Sequence, residues 1–291
     1  MRDFDFAAPR TLDEAMAILA RADGQQVRAL AGGTDLIDQL RQGRRSPGMV
    51  MDVKQIPEMR RLAFDPREGL YIGAAVPCAD VVNYPSVRER YPAVAEASGL
   101  VGSVQIQNRA SVGGNICNAA PSADTVPPLL VYGALALVAG PTGQRQLPLD
   151  EFFVGPGQTV LASNEILLAV LVPLPPANSA SHYLRFTPRE EMDIAVAGVG
   201  SLLALEPGTR RCRQARLALA AVAPTPIRAR EAEASLEGQL LGREHLVRAG
   251  ELAAQATRPI SDVRGSADYR RELVKVLTRR TLESCLRSLG V

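Results

Sequence analysis

The spacing of apolar residues changes along this chain, and each change marks a new kind of element. After Pro9, "TLDEAMAILA" sets Ala15, Met16, Ile18 and Leu19 on one helical face behind Thr11 and Glu14 at capping-box spacing, so a helix is predicted to start there. "VRALA" and "MVMDV" are short runs with strand character. Between them "GGTD" reads as a turn, and "LIDQLRQG" as a second helix closed by Gly43. The first fifty or so residues therefore form a β-loop-α-β unit.

From "GLYIGAAV" onward the pattern becomes a strand, then polar helical stretches through "CADVVNYPSVRERYPAVAEASGL", then a loop around "RASVGGNIC", then the strands "ALALVAG" and "EILLAVLVP". This is a mixed α+β module. "PLPPANSAS" is poor material for a packed element, and the main boundary is drawn there: 1–176, with subdomains of about 1–53 and 54–176, and 177–291. Past it, "HYLRFTP", "DIAVAGVGSLLALE" and "ARLALAAVAP" predict a small, mostly antiparallel sheet. Helices follow in "PIRAREAEASLEG", "REHLVRAGELAAQA" and "SADYRRELVKVLTRRTLESCLRSL". The last presents Leu273, Val276, Leu277, Leu282, Leu286 and Leu289 as a packing face, with its arginines in solvent. No internal repeat or low-complexity tract interrupts the chain.

Composition narrows the function classes. A chain of 291 residues with 46% hydrophobic content is that of a soluble globule of two or three modules. Its net charge of +2, from 33 basic and 31 acidic residues, lacks the concentrated positive charge that nucleic-acid and membrane-surface proteins use. The longest apolar stretches, "TVPPLLVYGALALVAG" and "EILLAVLVPLPP", are broken by Pro or Gly and fall short of the ~20 residues of a bilayer span. "MRDFDFAAPR" has no apolar secretion core, so a cytoplasmic location is expected. Cys78, Cys117, Cys212 and Cys285 are scattered without C-x-x-C spacing and the only histidines are His182 and His245, so zinc and iron–sulfur centres have no local ligand set. The thiols are expected to be reduced and partly buried, and both histidines structural or at the surface, with no Ser-His-Asp arrangement evident.

The chemistry on offer lies in two glycine pairs. In "ALAGGTDL", Gly32, Gly33, Thr34 and Asp35 stand between a strand and a helix, where bare amides can turn toward a phosphate. Taken alone, this segment reads as a tight turn that uses glycine for positive φ. "SVGGN" adds the Ser111 hydroxyl, the backbone of Gly113 and Gly114 and the Asn115 amide, and "NAAPSAD" follows with Ser122 and Asp124. Two short cradles from distant places in the sequence suit a pyrophosphate, and so a dinucleotide. Neither matches G-x-G-x-x-G or the P-loop pattern, which argues against an ordinary Rossmann site or a nucleotide hydrolase.

"AGGTDL", "NRASVGGNICNAAPSADTVPPLLVYGA", "NEILLAVLVP" and "YLRFTPREEMDIAVAGV" together resemble, in order and over nearly the whole chain, the FAD-binding medium subunits of molybdenum hydroxylases of the carbon monoxide dehydrogenase and xanthine dehydrogenase type. The resemblance implies an α+β architecture: a PCMH-type (vanillyl-alcohol-oxidase-like) FAD-binding fold in two subdomains, plus a C-terminal domain of antiparallel sheet with helices. It implies that Ala31, Gly32, Gly33, Thr34, Asp35 and Leu36, with Ser111, Val112, Gly113, Gly114 and Asn115, cradle the FAD pyrophosphate. Asp124 would face the cofactor, Leu167 and Ile194 would lie near flavin or adenine, and Arg185 would be the basic residue beside it. No catalytic acid or base and no protein-bound metal is implied. Some relatives carry a tyrosine over the flavin where this chain has Ile194, and some carry a cysteine-bearing loop for an extra cluster that this chain lacks.

In the heterotrimer so implied, substrate is hydroxylated in a large molybdopterin subunit. Electrons cross the [2Fe-2S] clusters of a small subunit to FAD on this chain and leave to NAD, a quinone or oxygen. Two other readings stay open on the sequence: a free-standing FAD oxidoreductase of the same flavin fold, and a non-catalytic nucleotide-binding assembly module.

Overall fold

A computed structural model describes residues 2–21 and 26–291. Its first part contains β1 (Asp5–Ala7), α1 (Leu12–Arg21), β2 (Val27–Leu30), α2 (Leu36–Arg41), β3 (Met49–Asp52) and α3 (Pro57–Arg60). Thr11 caps α1 by accepting the Glu14 N–H at 3.2 Å, and Glu14 accepts the Arg10 N–H at 2.7 Å, one residue before the cap where a capping box would use the cap itself. Ala15 and Leu19 are buried. Strands β1, β3 and β2 pair in parallel in that order. The edge strand β1 is three residues long and carries no apolar run, so the hydrophobic pattern gave no sign of it. Gly43 lies just beyond α2 at φ +69°, the left-handed stop expected of it.

The second part contains β4 (Leu62–Asp65), β5 (Gly69–Gly73), α4 (Cys78–Asn83), α5 (Pro85–Arg90), α6 (Pro92–Gly99), α7 (Val104–Gln107), α8 (Val112–Asn118), α9 (Val126–Tyr132), β6 (Leu135–Gly140), β7 (Gly143–Pro148), β8 (Phe153–Gly155), β9 (Gln158–Thr159) and β10 (Ile166–Val172). The polar helical stretch is cut into three because Pro85 and Pro92 can open a helix but not continue one. The sheet runs β4-β5-β10-β6-β7, with every pair antiparallel. The expectation of a loop over "RASVGGNIC" is corrected: Gly113 and Gly114 sit in the first turn of α8. Ser111 supplies the reason, since its hydroxyl caps that turn and offsets the poor helix propensity of two glycines.

The third part is β11 (Ser179–Phe186), β12 (Ala197–Leu205), β13 (Cys212–Ala220) and β14 (Ile227–Arg228), an antiparallel sheet in sequence order, followed by α10 (Arg230–Leu236), α11 (Arg243–Gln255) and α12 (Ala267–Ser288). Every residue of β12 is buried, because helices cover one face of the sheet and the second part covers the other. Tyr183, Leu202 and Ala218 accordingly belong to the core of the preceding parts, while Val199, Leu203, Leu217 and Leu219 belong to the core under α10–α12.

The face of α12 is rotated from the predicted one. Val274, Leu277, Thr278, Thr281, Leu282, Cys285 and Leu286 are buried, whereas Leu273 and Leu289 pack only at its margin. One arginine is not in solvent. Arg270 is 4% exposed and donates to the carbonyls of Val196 at 2.7 Å and Ala221 at 3.0 Å and to Asp262 at 2.8 Å. It staples three loops, a role that a long side chain on an apolar helix face does not reveal by period alone. Among the described residues no helix is long and apolar enough to cross a membrane.

Candidate functional site

The two glycine segments meet. A Cβ on Gly32 would land inside the carbonyl of Arg109, with the Ala110 nitrogen 2.9 Å away, so the first turn lies directly on the backbone leading into the second. Gly113 is bare for a similar reason: a Cβ there would come within 2.5 Å of the Ala74 backbone. Gly33 adopts φ +77°, a conformation costly for residues with a Cβ. Gly114 differs from all three. Among the described residues, and apart from its own helix backbone and neighbours, only the Ser111 hydroxyl, at 3.0 Å, stands within 4 Å of where its Cβ would be.

The glycines therefore divide their work. Gly32 and Gly113 let backbone rest on backbone, Gly33 makes the turn, and Gly114 leaves an open face at the start of α8. In the first segment, Ala31, Gly32, Gly33, Thr34 and Leu36 are half-buried and Asp35 is exposed. Ile37 N–H donates to the Gly33 carbonyl at 3.0 Å and closes the first turn of α2. Asp35 occupies the cap position of α2 without a side-chain cap bond. Ser111 Oγ accepts the Gly114 N–H at 3.0 Å. The preceding amides of that turn, Val112 and Gly113, have no partner within the helix, as at any helix start. Asn115 is anchored on its carbonyl oxygen by the Thr125 hydroxyl at 2.7 Å. Gln39 of α2 donates to Asn118 of α8 at 3.0 Å and ties the two helices together.

Asp124 and Arg185, 61 positions apart, form a buried ion pair across the second and third parts. Tyr183 donates its hydroxyl to the other Asp124 oxygen at 2.7 Å. Burial pushes the Asp124 carboxyl up, while the Arg185 charge and the hydrogen bonds from Tyr183 and Arg185 pull it back. Burial and the Asp124 charge push the Tyr183 phenol well above its ordinary value, so it remains a donor. Leu167 is buried in β10 at a register shift, its backbone against the Cys117 thiol of α8. Ile194 is 48% exposed on the loop from β11 to β12. That loop reaches back over the second part through Met192 N–H, which donates to the Gly102 carbonyl at 3.2 Å.

Tyr183 escaped the sequence reading although a signal was available. In "HYLRF" it stands two residues before Arg185, and on a strand that spacing puts both on one face. Glu96 also escaped, because no local pattern links α6 to β11. It accepts the Tyr183 N–H at 2.7 Å and lies 2.9 Å from His182 Nδ1, whose Nε2 lies 2.9 Å from the Ser288 hydroxyl. This Ser-His-Glu connectivity is a clasp. Ser288 ends a 22-residue helix, where outward carbonyls oppose a negative oxygen. His245, the other histidine, accepts the Gly242 N–H at 3.1 Å and caps α11. Burial raises all four thiols, those of Cys78, Cys117 and Cys212 to about 12. Among the described residues no three His, Cys, Asp or Glu side chains gather as a metal-ligand set.

Residues 2–175 match the family described as the FAD binding domain in molybdopterin dehydrogenase, and residues 182–285 match the CO dehydrogenase flavoprotein C-terminal domain. The chain is 32% identical over 291 residues to the xanthine dehydrogenase FAD-binding subunit of Escherichia coli O157:H7, covering 99% of this chain and 98% of that protein. It is 30% identical over 283 residues to the carbon monoxide dehydrogenase medium chain of Hydrogenophaga pseudoflava, covering 97% and 96%. Among solved structures, a carbon monoxide dehydrogenase from Hydrogenophaga pseudoflava superposes with a TM-score of 0.93 at 31% identity, over 98% of both chains. Quinoline 2-oxidoreductase from Pseudomonas putida 86 superposes with a TM-score of 0.92 at 26% identity, over 100% of this chain and 99% of that one.

Proposed function

Because this chain belongs to the FAD-binding subunits of the molybdenum hydroxylases, oxidoreductases with FAD as cofactor, we propose that it holds the FAD diphosphate between the turn after β2 and the first turn of α8. In this reading it takes electrons from the [2Fe-2S] clusters of a small partner subunit and passes them to NAD, a quinone or oxygen. The molybdopterin subunit of the same assembly carries the substrate chemistry. The observation that carries the reading is the convergence of the two glycine segments, with Gly32 against Arg109 and Ala110 and an open face left at Gly114. The donor set fits an anionic dinucleotide: helix-start amides and small residues, with open space beside Gly114.

When bound, FAD supplies the capacity to accept electrons singly and release them in pairs. The residues of this chain then have simple duties. The turn of Ala31–Leu36 and the stretch Ser111–Asn115 cradle the diphosphate, and the backbone contact between them fixes their separation. Asp124 and Arg185 present a fixed charge pair beside the cofactor, with Leu167 as an apolar wall. Ile194, exposed on the loop between β11 and β12, would lie near the flavin or adenine. We assign residues 1–176 to cofactor binding, residues 177–291 to the C-terminal domain, and the protein to the cytoplasm, where its unpaired thiols stay reduced.

The direct test is purification after co-expression with candidate small and large subunits. A yellow complex containing [2Fe-2S] clusters and molybdopterin is expected. A colourless chain that takes up no FAD on reconstitution overturns the cofactor site, and a lone chain that oxidises a substrate on its own FAD replaces the subunit reading with a free-standing oxidoreductase.

A further inference from the structure

Resting on the cofactor site just proposed, we infer that Tyr183 is a positioning residue for the flavin: its hydroxyl holds Asp124 so that Arg185 is engaged along one edge only and keeps its charge turned toward the cofactor. Tyr183 is 2% exposed and gripped at both ends. Its backbone N–H is taken by Glu96 at 2.7 Å, and its hydroxyl gives 2.7 Å to Asp124 Oδ1. The ring lies over Gly198, where a Cβ would strike the hydroxyl. Among the described residues Arg185 donates, through Nη1, only to the second Asp124 oxygen.

A carboxylate and a guanidinium otherwise pair fork to fork, using both oxygens. Here Tyr183 takes one oxygen and Arg185 reaches the other. The tyrosine also adds a hydrogen bond to the carboxylate, which reduces the negative field of Asp124. Both effects leave the surroundings more positive, and a more positive surrounding favours the electron-rich, reduced form of a bound flavin. A tyrosine present only to fill the core would have no such influence, since its ring alone would serve.

The test uses Tyr183→Phe, which keeps the ring and removes the hydroxyl. In the purified FAD-loaded protein the two-electron midpoint potential of the flavin is expected to fall, with reduced flavin bound about tenfold more weakly relative to oxidised, ~30 mV for a two-electron couple. The visible spectrum should shift and the fold should survive by circular dichroism. Gly198→Ala, which leaves Tyr183 in the sequence but crowds its hydroxyl away from Asp124, should move the potential in the same direction, and it answers the question if the phenylalanine variant does not fold. An unchanged or higher potential in the variant that folds overturns the inference. Failure of the unsubstituted protein to bind FAD would instead strike the site on which it rests.

Discussion

Gly114→Ala separates a glycine kept for the fold from one kept for a ligand. In the protein alone the new methyl group meets only the Ser111 hydroxyl, at 3.0 Å. Alanine gains up to ~1 kcal/mol over glycine in a helix, and disturbing the Ser111 cap costs ~1 kcal/mol in the other direction. The two nearly cancel, so the stability of the FAD-free protein should change by less than ~1 kcal/mol. In the FAD site proposed above, the same methyl should occupy the open face and hold the diphosphate off the helix-start amides. Losing one charge-assisted hydrogen bond is worth ~1.5–3 kcal/mol, or roughly a 10- to 150-fold weaker dissociation constant.

Gly32→Ala is the counterpart. Its methyl would enter the Arg109 carbonyl, which as backbone cannot swing away. Stability should therefore fall by ~3 kcal/mol, the upper part of the usual range for overpacking, with FAD loss as a secondary effect. Urea denaturation of FAD-free protein and flavin-fluorescence titration measure the two quantities separately. If Gly114→Ala binds FAD with a dissociation constant within about threefold of the unsubstituted protein's, a difference of less than ~1 kcal/mol, the assignment of the open face to the diphosphate is refuted.

Other outcomes follow from the packing. Arg270→Leu leaves the Val196 and Ala221 carbonyls without this donor and Asp262 with only the Arg264 N–H, and should cost ~3 kcal/mol in urea unfolding. Asp262 is held below the usual carboxylate range, first by its hydrogen bond from Arg270. Its contribution is thus fully present above the unfolded aspartate pKa and lost as pH falls through the lower folded value, so the stability gap between Asp262→Asn and the unsubstituted protein should close as pH falls below about 4. The four thiols, all raised by burial, should resist iodoacetamide at pH 8 in the native protein and react once it is unfolded in denaturant. Rapid native labelling at one of them would mean that its packing opens.

What was legible in the sequence follows the strength of local physics. Strands β6, β10, β12 and β13 announce themselves as apolar runs because both faces are covered or nearly so. Strand β7 does not, since "GQRQLP" is an exposed edge held by its pairing with β6. Two adjacent glycines read as a loop, and the Ser111 cap that makes them helical is a single hydroxyl bond. The glycine pairs pointed correctly to a close approach, but at Gly32 and Gly113 the approaching body is the protein's own backbone. Tyr183, Glu96 and Arg270 act over 59, 87 and 74 positions respectively, distances at which a one-dimensional pattern carries no information about partners.

Strand β12 and its neighbours face two ways, lending Tyr183, Leu202 and Ala218 to one core and Val199, Leu203 and Leu217 to the other. The seam in the chain near "PLPPANSAS" is therefore not a seam in the solid. A chimera spliced there from two relatives would join a foreign sheet to a floor shaped for another, and success would require exchanging α6, α9 and the underside of the sheet as one block. Drift in these subunits is constrained in the same way: the halves can diverge freely at their outer surfaces, but along this shared wall they must change in step.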